Sequence, residues 1–144
     1  MPFQLRGSRS TALLEKLPLF AGLSPRELSR ISRLTREIEV PPGKRLASIG
    51  EHGREMYFIV DGRALVTTRR GSHSHLGPGD YFGEISLIDG EPRSATVEAT
   101  TSMRLVVLGY REFWQLLDES LPIVRKVVRT LSKRLRQLEN PPVA

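Results

Sequence analysis

The feature that most limits what this chain can fold into lies between Glu37 and Leu108. There, short β-rich runs follow one another, most of them closed by glycine. "EIEV" runs into Pro42-Gly43, "KRLASI" into Gly50 to Gly53, "MYFIV" into Asp61-Gly62, and "RALVTT" on to Gly71. "GPGD" follows, and "SATVEA" and "MRLVVL" complete the series. Short strands at this spacing, with glycine at the corners, predict an antiparallel sandwich or barrel over 37–108. Asp61-Gly62, set between two runs, reads as a hairpin turn.

The flanks have a different period. In "SPRELSRISRL", Ser24 can cap, Pro25 suits the first helical position and Glu27 completes a capping box. Leu28, Ile31 and Leu34 recur at helical spacing, so a helix is expected over 24–35, with a shorter one at 10–17. After Gly109, "REFWQLLDE" predicts a short helix and Pro122 opens a longer one. Val124, Val127, Val128, Leu131, Leu135 and Leu138 of that helix fall on one stripe. Phe113 and Trp114 read as core. The expected class is therefore mainly β with flanking helices: an antiparallel jelly-roll barrel, N-terminal helices before it and a long C-terminal helix after it. The domain spans 14–140, its C-terminal helices occupy 110–139, and 1–13 forms an N-terminal extension.

A chain of 144 residues suits one domain. It has no cysteine, which removes disulfide and thiolate chemistry and fits a reducing compartment. No apolar run is long enough for a membrane span or a secretory signal. The expectation is a soluble, cytoplasmic protein. The net charge is +6, and part of the excess lies in "IVRKVVRTLSKRLRQL" (123–138), which holds six basic residues and no acid. That segment reads as the solvated face of an amphipathic helix, with an acidic partner as the sharper reading.

One stretch interrupts the strands: "FGEISLIDGEPRSATVEA", Phe82 to Ala99. "GEISLID" is long enough for a turn or two of helix, and Gly90 can end it. A helix start offers free amides to an anion. Gly83 lets a ligand approach the backbone. Arg93 returns after the turn with a planar fork that matches two phosphate oxygens. Ser94 and Ala95 are small enough to offer amides without blocking the site. Glu84 would repel a phosphate but suits a hydroxyl. The stretch asks for a ligand carrying both.

"FGEISLIDGEPRSATV" closely resembles the phosphate-binding cassette of cyclic-nucleotide-binding domains, the family that includes catabolite activator proteins, protein kinase A regulatory subunits and cyclic-nucleotide-gated channels. "LPLFAGLSPRELSRI" (17–31) resembles that family's helical entry, "MYFIVDGRALV" (56–66) its hairpin, and "LGPGDYFGE" (76–84) the approach to the cassette, here 82–96. The resemblance implies a role for each matching residue. Glu84 would accept from the ribose 2′-hydroxyl, and Arg93 would pair with the cyclic phosphate. Amides at Ile85, Ser86, Ser94 or Ala95 would complete the cradle that Phe82 and Gly83 introduce. Val66 would pack near the base, and Arg134 would reach over the ligand from the last helix.

The chain departs from the family at Leu138, where some members place a hydroxyl for adenine, and at Ser94, where members that prefer cyclic GMP often carry threonine. The implied ligand is cyclic AMP, with cyclic GMP as the other choice. No helix-turn-helix follows the long helix, so no specific DNA binding is expected. The implied function is a sensor: nucleotide binds, the C-terminal helix moves, and an unidentified protein partner responds. A homodimer through that helix is a further expectation.

Other readings compete. Glu84 and Arg93 alone could form a surface ion pair. His73-Ser-His75 resembles the His-x-His of metal-binding cupin enzymes. The basic charge admits a nucleic-acid-binding protein. No nucleophile–base pair stands out, so the chain is read as a non-enzyme.

Overall fold

The computed structural model describes residues 11–139, with Phe3–Gln4 as a short backbone strand before them. Most of the expected extension, 1–13, and the side chain of Leu138 lie outside the described residues. Fifteen elements follow in chain order. They begin with strand β1 (Phe3–Gln4), helix α1 (Thr11–Glu15), a 3-10 turn (Pro18–Phe20) and α2 (Pro25–Ser32). Strands β2 (Thr35–Val40), β3 (Arg45–Ala47), β4 (Glu55–Asp61), β5 (Ala64–Thr68), β6 (His73–Leu76) and β7 (Tyr81–Phe82) come next. Helix α3 (Glu84–Asp89), strands β8 (Ala95–Ala99) and β9 (Met103–Gly109), and helices α4 (Tyr110–Glu119) and α5 (Leu121–Glu139) complete the chain.

The strands form two antiparallel sheets, β1-β2-β9-β4-β7 and β3-β8-β5-β6. They make a jelly-roll sandwich that does not close into a barrel. Among the described residues no strand of one sheet pairs with a strand of the other, and the first sheet is buried on both faces. Ile38, Tyr57, Ile59, Leu105 and Val107 point toward the second sheet and meet Ala64, Val97 and Ala99 there. Met56, Phe58, Val60, Val106 and Leu108 point the other way, into a second core built by Leu14, Phe20, Leu28, Phe113, Ile123 and Val127 of the helices. This explains why "MYFIV" and "RLVVL" read as unbroken apolar runs rather than alternating ones. The helices are a third layer.

Asp61-Gly62 is not a hairpin. β4 pairs with β7 and β9, whereas β5 pairs with β6 and β8. The turn is a corner that carries the chain from one sheet to the other. Gly62 has φ +97, and a Cβ there would stand 2.4 Å from the Ser102 carbonyl oxygen, so the corner presses against the β8–β9 connection. The hairpin of this region is β5–β6, closed by Thr68 and Ser72.

Ser24 and Glu27 form the capping box, each side chain accepting from the other's amide at 3.2 Å. The helix it opens is shorter than its apolar period, because Thr35 leaves to pair with Leu108 in the first sheet. The first helix is likewise short, Thr11–Glu15, since the chain tightens into the 3-10 turn at Pro18. In α5 the expected stripe divides. Ile123 and Val127 are buried and Leu131 packs partly against them, but Val128 and Leu135 are 58% and 57% exposed. The helix touches the protein along one narrow row, and the neighbouring apolar row, Leu121, Val128 and Leu135, faces away.

Candidate functional site

A cleft of about 470 Å3 opens between the end of β7, α3, the start of β8, the second sheet and α5. Phe82, Gly83, Glu84, Ile85, Ser86, Arg93, Ser94, Ala95, Val66 and Arg134 all line it. Residues far apart in sequence thus share one wall.

Gly83 precedes α3 with φ +96, a left-handed conformation that suits glycine. A Cβ there would meet the Arg93 guanidinium at 2.8 Å and the Glu55 carbonyl oxygen at 2.9 Å. Phe82 anchors the approach by stacking on Tyr57, ring centroids 5.0 Å apart. Gly90, also left-handed, ends α3 and donates to the Ser86 carbonyl. The helix is then tied from outside: the Trp114 indole N–H donates to the Leu87 carbonyl at 3.0 Å. Ser86 is buried and Ile85 exposed, as the two faces of so short a helix require.

Arg93 is buried although it carries a charge. Its guanidinium donates to the carbonyl oxygens of Gly83 at 2.9 Å and Glu55 at 2.6 Å. Burial lowers its proton affinity below the ordinary arginine range, and Tyr57, Glu55 and Glu84 oppose that shift. The remaining N–H groups of the fork are not consumed by these two bonds.

Glu84 is 1% exposed. Its partner is Arg134 of α5, not Arg93. One carboxylate oxygen, Oε1, accepts from the Arg134 guanidinium, which also donates to the Tyr81 carbonyl at 2.7 Å and lies 5.1 Å over the Tyr81 ring. The other oxygen, Oε2, is buried without a hydrogen-bond partner. Burial raises the Glu84 carboxyl above its ordinary range, and Arg134 is the largest of the effects opposing it. A buried acceptor with no donor is costly unless something supplies one. The cleft thus brings together a buried acceptor at Glu84 without a donor and a buried cation at Arg93.

Sequence reasoning missed several lining residues: Tyr81, Ser74 and His75 of β6, and Gln137 of α5. It also missed the loop 50–53, whose Gly53 abuts the Arg93 guanidinium. The one available signal was a pair of glycines three apart with no strand between them. His73 and His75 are exposed on β6, and among the described residues no group of three or more His, Cys, Asp or Glu is placed to hold a metal ion. The cupin reading has no ligand set here.

The fold is that of the cyclic nucleotide-binding class of domain. Comparison with known proteins gives the family: residues 37–120 match the family model of the cyclic nucleotide-binding domain, and the chain belongs to that family. It is a family of binding domains, not of catalysts. The chain is 42% identical over 121 residues to the cyclic nucleotide-gated potassium channel mll3241 of Mesorhizobium japonicum, covering 84% of this chain and 33% of the channel. It is 34% identical over 113 residues to a cAMP-dependent protein kinase regulatory subunit of Eremothecium gossypii, covering 78% of this chain and 25% of that protein. Among solved structures, the catabolite activator protein of Thermus thermophilus superposes with a TM-score of 0.75 at 29% identity, covering 85% of this chain and 60% of that one. The chain spans a quarter to a third of the length of the curated relatives it matches. No helix among the described residues is long and apolar enough to cross a membrane.

Proposed function

We propose that the cleft binds cyclic AMP and that α5 reports its occupancy to a protein partner. The observation that carries this reading is the pairing of an orphaned buried acceptor, Glu84 Oε2, with a buried, carbonyl-oriented Arg93 across one cleft. A ribose 2′-hydroxyl donates to the first. The exocyclic oxygens of a cyclic phosphate meet the unused N–H groups of the second, with the amides that open α3 completing the cradle. Val66 and Val97 supply an apolar wall for the base, and Gln137 and Ser74 stand at its polar edge. Adenine is favoured over guanine by the kinase relative, which is cAMP-dependent by name.

The ligand need not break the Glu84–Arg134 pair, since each carboxylate oxygen has its own task. Arg134 then links the occupied site to α5, whose outer turns settle over the base. A ligand shifts α5 only by its differential affinity for the closed arrangement. The exposed row Leu121, Val128 and Leu135 is the surface through which a partner helix, including one from a second copy, reads that shift.

Calorimetric titration with cyclic AMP, cyclic GMP and 2′-deoxy cyclic AMP tests the reading, using the parent protein and Arg93→Ala. Charge-assisted bonds are worth about 1.5–3 kcal/mol each, so the alanine variant should bind roughly ten- to a hundredfold more weakly. The 2′-deoxy analogue should also bind poorly, because Glu84 Oε2 stays unpaired. Unchanged affinity in Arg93→Ala overturns the assignment.

A further inference from the structure

We propose that Gly53 is a positioning residue for phosphate recognition, its bare Cα forming one wall of a slot that fixes the Arg93 guanidinium. This rests on the reading that Arg93 meets the cyclic phosphate. Gly53 differs from the turn glycines of this chain. Among the described residues eight glycines have positive φ and Gly53 is not one of them, so its φ does not call for glycine. Conformation does not demand glycine at this position; space does.

A Cβ on residue 53 would stand 1.9 Å from Arg93 Nε, 2.0 Å from Cζ and 2.5 Å from an Nη atom. No atoms can share those distances, and the guanidinium has little room to yield. Its Nη atoms are committed to the carbonyl oxygens of Glu55 and Gly83 at 2.6 and 2.9 Å. Gly83 borders the same group, since a Cβ there would come within 2.8 Å of the other Nη atom. Two glycines, thirty residues apart in sequence, thus abut one planar group.

The same loop holds the arginine's backbone. The Arg93 amide donates to the Glu51 carbonyl at 2.7 Å, and the Arg93 carbonyl accepts from the Gly50 amide at 2.9 Å. Loop 50–53, between β3 and β4, therefore grips Arg93 at the main chain and at the guanidinium. A long, flexible side chain is oriented before the ligand arrives, and it loses less freedom when the phosphate binds.

The test is a double-mutant cycle on the full chain, with Gly53→Ala, Arg93→Ala and the pair, read by cyclic AMP calorimetry and thermal melting. Gly53→Ala should weaken cyclic AMP about tenfold or more, as a displaced guanidinium would. In the Arg93→Ala background the same substitution should change affinity less than about twofold, because no guanidinium remains to be displaced. A purely structural glycine would give additive losses, and additivity overturns the proposal, as does unchanged affinity in Gly53→Ala. If Gly53→Ala fails to fold, Arg93→Ala should rescue it by vacating the slot, and absence of rescue overturns the proposal equally. An Arg93→Ala variant that binds like the parent refutes the phosphate reading itself, and the melting cycle still reports whether residues 53 and 93 are coupled.

Discussion

Replacing Arg134 with alanine should free the outer turns of α5 without releasing its base. The inner part of the helix is held by Ile123 and Val127, which are 1% and 3% exposed. Beyond Leu131, among the described side chains, Leu135 is 57% exposed. Arg134 is the polar anchor of that outer part, through Glu84, the Tyr81 carbonyl and the Tyr81 ring. A charge-assisted bond is worth about 1.5–3 kcal/mol, but the Arg134 side chain is 34% exposed, and solvent screening brings the pair toward about 1–2 kcal/mol. The ring contact adds roughly 0.5–1 kcal/mol, and the rotamer freedom regained by losing the arginine offsets a similar amount. The net, about 1–2 kcal/mol, corresponds to roughly five- to thirtyfold faster amide exchange. Hydrogen exchange on the ligand-free protein should show this increase in 128–137 and little change in 121–127. Equal acceleration along the whole helix would show that α5 opens as one unit. No acceleration in 128–137 would show that Arg134 anchors nothing.

Two further substitutions probe the charge and the corner. Burial raises the Glu84 carboxyl in the folded protein, with Arg134 opposing, so the stability this group contributes is full below the unfolded carboxyl's pKa and is lost as pH rises through the raised folded value. Glutamine does not titrate; the melting temperature of Glu84→Gln relative to the parent should therefore climb with pH across that window in scanning calorimetry, and a gap independent of pH would contradict the shift. Gly62→Ala should lower stability by about 2–4 kcal/mol in urea melts, from left-handed strain added to a clash with the Ser102 carbonyl, whereas a loss within error would mean the corner gives way.

How much of this was legible in the sequence depended on whether the signal was local. The capping box at Ser24 and Glu27 depends on residues three apart, and it forms as read. The runs "MYFIV" and "RLVVL" announced strands, and their unbroken apolar character follows from burial on both faces. Asp61-Gly62 failed as a hairpin because turn chemistry says where a chain bends, not which strand it will pair with. The stripe on α5 was placed on a suitable arc, but helical period alone could not tell that Ile123 faces the core while Val128 faces out. At the site, Glu84, Arg93 and the glycine before the helix were visible as chemistry. That Arg134, fifty residues on, takes Oε1 and leaves Oε2 bare was not, because a hydrogen-bond partner chosen by tertiary approach leaves no local trace.

The position of β9 has a consequence for how the molecule comes into being. β9 is the third of five strands in the first sheet, hydrogen-bonded to β2 on one side and β4 on the other. Its pairing with β2 joins residues 63 to 73 positions apart, from Val40↔Met103 to Thr35↔Leu108. During synthesis, β2 and β4 emerge before the strand that lies between them in the finished sheet. Their pairing edges toward β9 have no native partner until residues 103–109 leave the ribosome. Loop closure over such a span is slow compared with helix formation, so assembly of this sheet sets the pace of folding. The nascent chain is most vulnerable to aggregation and to chaperone capture in the interval before β9 arrives.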